Sequence, residues 1–359
     1  MIETEKKVDK GLAILKGVCC FIVFFQHFME CFMIYDLADQ SNYRLANIVY
    51  FLPIKILTYG RVANFTFCMI SGYFAASKRI TSIRSLLNAI ATRYVRLVLV
   101  LMAGSLLLGL CYFAGITPTE ADRIVMLNDN LPTFQMDLLT LPRAFLFHSL
   151  NFAMWIVGYI FVGNVCAYLY SYISGKTKES KRVMVFYLIL VGLLLALDCR
   201  SQYIEMIIVT MIGVPLKHFI SVYGLKMDRI ERYYWLFTVA LGYCIVCVDL
   251  KIDFRYLSYI GALLFILGFK YLFKDVSSGM LVRFLSDYPI AVWAVHPAVI
   301  YTVCLRFFNS SSLSCDYRLG IAFLIAMICV IVLSVFYKRT FERACDWISK
   351  SFNSLLRII

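Results

Sequence analysis

Long apolar runs broken by short polar segments set the pattern of this chain. Runs long enough to cross ~30 Å of hydrocarbon fall at about 12–34, 57–76, 88–114, 150–173, 183–199, 203–222, 234–248, 256–273, 286–307 and 318–337. Each is predicted to be a helix, because only a helix pairs its own backbone groups within a single segment in lipid. The fifth and sixth are parted only by Arg200-Ser201-Gln202 and the seventh is short, so nine and eleven spans stay open beside ten. From Lys338 onward the pattern changes. Phe341, Ile348, Phe352, Leu355 and Ile359 form a helical stripe opposite Arg343, Lys350 and Arg357, the pattern of a helix lying in a membrane interface. No repeat or linker divides the runs, which predicts one membrane domain over 1–337 followed by an amphipathic tail over 338–359.

Composition agrees. With 62% hydrophobic and only 16% charged residues, the chain is too apolar for a soluble globule of 359 residues. The expected class is all-α, a polytopic integral membrane bundle of about ten transmembrane helices. Its net charge of +13 is read by location. With the N-terminus in the cytoplasm, KRITSIRS (78–85), GKTKESKR (175–182), LKMDRIER (225–232), the stretch around Lys274 and Arg283, and the tail all face inward, as the positive-inside rule requires. Both termini are then cytoplasmic. No basic stripe with interleaved aromatics stands in a soluble segment, so nucleic acid is not an expected partner. The thirteen cysteines have no zinc-ligand spacing, no metal is expected, and the Cys19-Cys20 pair reads as packing. The first run is too long for a cleaved signal and lacks a small-residue cleavage site.

Ionisable residues inside apolar runs are the candidates for chemistry, because their burial in lipid is costly. His27 lies near the middle of the first run, eleven positions after Lys16, which puts the two on one helical face about 16 Å apart. Glu30 follows one turn later and could orient the imidazole. At the start of the third run Arg93 and Arg96 share a face, a guanidinium fork suited to phosphate oxygens and equally an interfacial anchor. With Lys16 at the same depth they would frame a phosphate-binding mouth beneath His27. His296 precedes Pro297, whose ring frees a carbonyl that a buried imidazole could satisfy; a structural role and a catalytic one stay open. His148, near Asn151 and Trp155, could hydrogen-bond substrate or anchor the interface. His218, beside Lys217, reads as a snorkelling pair. The longest polar segment, Gly115 to Pro142, is exterior in this topology, and reads as a lid or as a connector.

Taken in order, these segments resemble the acyltransferase family 3 membrane proteins, which include bacterial O-acetyltransferases of surface glycans. DKGLAILKGVCCFIVFFQHF is similar to the family's first-helix motif, with Lys16 where many members have Arg, and His27 as its histidine. NFTFCMISGYF resembles the second-helix ending around Ser71-Gly72, and TRYVRL the arginine pair, Arg93 and Arg96. NFAMWIVGYIF resembles the aromatic region around Trp155, and YPIAVWAVHPAVIY the late helix with His296 and Pro297. The resemblance implies a ten-helix bundle in the inner membrane with no bound cofactor. It implies acetyl-CoA or another acyl-CoA as donor and a sugar hydroxyl of a cell-surface or lipid-linked polysaccharide as acceptor. His27 would act as general base or take the acyl group covalently. The competing class is a secondary transporter with His27 as a proton relay, which would favour inverted repeats that are not visible here. A scaffold or sensor would not need Lys16, His27, Arg93 and Arg96 together.

Overall fold

The computed structural model describes residues 9–33, 55, 59–113, 144–147, 154–176, 180–196, 201–252, 254, 256–277, 279–304, 307 and 315–358. Among them the regular structure is helical and no strand occurs. The helices are α1 (Lys10–Met33), α2 (Gly60–Ala76), α3 (Ile83–Phe113), α4 (Val157–Lys176), α5 (Ser180–Ala196) and α6 (Gln202–Met227). They continue as α7 (Arg232–Ile252), α8 (Tyr256–Leu272), α9 (Met280–Asp287), α10 (Pro289–Ala298), α11 (Cys315–Tyr337) and α12 (Arg343–Ile358). A helix meets each of the ten apolar runs. Five segments are long and apolar enough to cross a membrane by length and composition: Lys10–Met29, Ile83–Cys111, Tyr203–Gly224, Arg232–Ile252 and Tyr317–Phe352. The 115–142 segment and His148 lie outside the described residues.

Outward faces are as apolar as the core. Phe186, Leu193, Leu236, Phe237, Leu324, Ile328 and Val332 are all exposed. In water so large an apolar surface would drive aggregation; against lipid tails it costs nothing. The chain is an all-helical membrane protein.

Side-chain pairs fix the helix directions. Ser71 meets Asn164 while Ala76 accepts from Ser171, so α2 and α4 run the same way. Cys68 meets Met206, and Gly72 abuts Thr210, so α6 joins them. Lys16 lies over Phe74 while Gly60 abuts Gln26, which sets α1 against this direction. Cys20 meets Pro289 and His27 meets His296, two contacts spaced seven residues apart on each helix, so α10 runs parallel to α1 in register. The end carrying Lys10 is called the lower end below.

Small residues let the three like-directed helices touch. A Cβ on Gly72 would strike the Thr210 carbonyl, one on Gly213 the Met69 carbonyl and Tyr73 nitrogen, and one on Gly163 the Thr210 side chain. Without a hydrophobic force between helices in lipid, such close backbone approach supplies the dispersion contact that holds them. Gly213→Leu is therefore expected to separate α2 from α6, lowering the melting temperature in detergent by a loss of roughly 1–3 kcal/mol or more. Gly192→Leu, where nothing lies within 4 Å, should leave melting unchanged. Equal melting of the two variants would contradict this packing.

Two departures from the sequence reading bear on the site. The predicted 286–307 span is preceded by a short helix, α9, which the sequence reading did not expect. Tyr288 (φ −114°, ψ 13°) parts α9 from α10, which starts at Pro289, whose missing N–H costs nothing at a first helical position. α9 lies on α1, where Gly17 abuts the Leu285 backbone. The tail is the second departure. The 337/338 division falls on a π-helical turn, Lys338–Glu342, that carries α11 into α12. α12 docks on α3, and its Cys345 and Ser349 are buried.

Candidate active site

The glycines that draw α2, α4 and α6 together are neighbours of polar residues. Ser71 precedes Gly72 and Asn164 follows Gly163, so close approach of the backbones brings the two side chains into contact. The Asn164 amide nitrogen donates to Ser71 Oγ at 3.1 Å. Arg93 reaches across from α3 and donates from Nη2 to the same oxygen at 2.8 Å. Buried polar groups of this kind must find partners, and the Arg93 Nε has none. This arginine has donors to spare.

Around this triad opens a cavity of about 460 Å³ in the lower half of the bundle, within the size range of small-molecule sites. Lys16, Lys78, Arg93 and Arg96 line it, against the acids Asp287 and Glu342. Lys16 lies 5.4 Å from the Phe74 ring centre, and Lys78 lies 5.4 Å from that of Tyr168. Arg96 turns outward, its guanidinium 3.8 Å from Asp346 of α12, with both side chains about half exposed. Lys338 of the π turn donates to the Asp287 carbonyl and covers the Tyr288 ring at 4.5 Å. Among the described residues neither Lys16 nor Arg93 has a carboxylate partner. Cations held in a low-dielectric wall without a directly paired carboxylate favour an anion there, although Asp287 and Glu342 line the same cavity.

The Arg93 and Arg96 side chains thus do not form a parallel fork. Three residues apart, they share the cavity wall, but one is drawn in by Ser71 and the other out by Asp346. Lys16, Ser71, Arg93 and Arg96 are nonetheless brought to one cavity.

Above the cavity stands a histidine pair. The His27 and His296 rings stack with centres 5.4 Å apart and 14° between planes. His296 is fully buried, and Phe24 meets its ring edge-on at 6.3 Å. Its Nδ1 lies 3.1 Å from the Val292 carbonyl. A carbonyl only accepts, so Nδ1 carries the hydrogen and Nε2 keeps the lone pair. That Nε2 is buried without a partner. Pro297 frees the carbonyl of Trp293, and the His296 ring interacts with the backbone of both Val292 and Trp293; past Pro297 the helix widens into a π turn at Val299–Cys304. π turns of this sort concentrate at functional sites. Cys20, which lines the cavity, and His27 share a face two turns apart, about 10 Å along α1.

The remaining candidates lie elsewhere. Glu30 is on α1, with its side chain outside the described residues. Trp155 sits above the cavity, edge-on to Tyr203 at 5.8 Å, in an aromatic cluster with Tyr159. His218 is exposed on the outer face of α6. The sequence reading overlooked Asn164, Lys78, Trp293, Asp287 and Glu342. Asn164 carried a usable signal, a polar side chain beside glycine in an apolar run; the two acids could not be found without knowing where α9 and the tail dock.

A protein-family model described as an acyltransferase domain matches residues 9–339. No curated protein and no solved structure matches the chain. The match spans the histidine pair and every residue lining the cavity except Glu342. The chain belongs to the acyltransferase 3 family and is a membrane acyltransferase.

Proposed function

We propose that this protein moves a short acyl group, acetyl foremost, from acyl-CoA to a hydroxyl of a cell-surface or lipid-linked polysaccharide in the inner membrane. Ten helices cross the bilayer with both termini in the cytoplasm, so the lower cavity opens where acyl-CoA is found. One observation carries the donor: Lys16 and Arg93 line the cavity without carboxylate partners, which suits the phosphate oxygens of CoA. Arg96 and Lys78 add charge at the same wall.

The pantetheine arm carries the thioester up from these cations toward His27. Neutral His27 takes the proton of the acceptor hydroxyl as its oxygen attacks the thioester carbonyl. The carbon–sulfur bond breaks, the ester bond forms, and the proton passes to the departing thiolate of CoA. Stacked on His27, the neutral His296 ring offers its π face to the imidazolium that forms. Ser71 and Asn164 hold Arg93 in place for the donor. Trp155, nearer the upper end, together with His148 is proposed for the acceptor side, and Glu30, one turn after His27 in sequence, for orienting His27. The transporter reading lacks a comparable observation.

Mass spectrometry of surface glycans tests the proposal. Cells carrying the protein should show an added acyl mass that vanishes on deletion and returns with the wild-type gene. Identical glycan masses in the two strains would contradict it.

A further inference from the structure

Between the cavity and the histidine pair stands a stacked aromatic pair. Trp293 of α10 lies one turn below His296, and its ring is 6.2 Å from that of Phe67 of α2 with 22° between planes. Both rings line the cavity, at its apolar end with Ile70, Val100, Val157 and Ile160. The parallel register of α1 and α10 fixes the levels. Cys20 meets the Pro289 carbonyl at 2.9 Å at the bottom, the two histidines stack at the top, and Trp293 falls midway. On α2, Phe67 sits one turn above Ser71, the centre of the cationic end. A thioester held by its phosphates below must bring its acyl group to this stack before it reaches His27.

We infer that the Trp293–Phe67 stack is a gate that limits the length of the acyl chain. The inference rests on the proposed acyl-CoA donor and names the feature that selects among donors. An unobstructed apolar pocket favours longer chains, by about fourfold for each added methylene. Binding alone therefore cannot keep a short acyl group; a wall is needed, and well-packed aromatic rings give little way. Trp293 is partly buried, stacked on Phe67 on one side and carried on the helix that leads to the buried His296, with its remaining surface turned to the cavity.

Acyl-CoAs of two, four and six carbons, offered together with a lipid-linked saccharide acceptor to the purified protein in lipid nanodiscs, test the gate. The wild type should prefer acetyl to hexanoyl by roughly fiftyfold or more in kcat/KM. Trp293→Ala should raise the hexanoyl-to-acetyl ratio at least tenfold, and Phe67→Ala should raise it in the same direction. Trp293→Phe, which preserves an aromatic wall, should fall between and guards against a folding defect. Binding of unreactive S-alkyl CoA thioethers to the same variants, measured by calorimetry, should show the same lengthening without chemistry. Acetyl transfer with a ratio unchanged within about twofold in every variant overturns the gate alone. Absence of both transfer and thioether binding for all chain lengths overturns the acyl-CoA donor, and the gate with it.

Discussion

His27→Ala is expected to abolish acyl transfer while leaving the protein inserted and folded. The imidazole is partly buried beside His296, and an apolar residue at that depth eases insertion of α1. His27→Gln sharpens the test. It retains volume and one hydrogen bond but takes no proton near neutral pH, so a base role predicts the same loss as alanine, on the order of the 10²–10⁴-fold that general-base catalysis supplies. Melting curves of both variants should overlay the wild type. Transfer by His27→Ala at more than a few per cent of the wild-type rate would remove His27 from the chemistry.

Lys16→Glu should raise the donor KM at least about a hundredfold, whereas Lys16→Arg should be tolerated. Reversing the charge forfeits a charge-assisted contact of roughly 1.5–3 kcal/mol and sets a carboxylate in the wall that faces Asp287 and Glu342 across the cavity. Arginine retains the charge, gains a planar fork and can stack on Phe74 as the lysine does. The pair of substitutions separates field from geometry. Steady-state kinetics against acyl-CoA concentration would read the outcome, and a normal KM for Lys16→Glu would reduce Lys16 to a positive-inside residue.

Much of this was legible in the sequence because lipid restricts the choices. Apolar runs of spanning length can only be helices, and each met a helix in the fold. The eleven-residue spacing of Lys16 and His27 needs only helical phase to place them on one face; the structure puts Lys16 in the cavity wall and His27 against His296. What escaped depends on tertiary approach. The Arg93 and Arg96 spacing gave a shared face but not the opposite pulls of Ser71 and Asp346. Asn164 looked like one more residue of an aromatic helix until Gly163 and Gly72 brought α4 and α2 onto α6. Pro289 carried a signal the reading did not use: its preference for a first helical turn marks the start of α10, just inside the predicted 286–307 run.

The central claim is that one bundle couples a cationic donor cavity to the His27–His296 pair. Its most direct test is acyl transfer by the purified protein in proteoliposomes supplied with radiolabelled acetyl-CoA and a lipid-linked saccharide, with released CoA thiol and acylated saccharide measured together. The account predicts equal molar amounts of free thiol and saccharide ester for the wild type, a raised acetyl-CoA KM for Arg93→Ala, and neither product for His27→Ala. Labelled saccharide formed undiminished by His27→Ala, or no label transferred by the wild type at all, would contradict it.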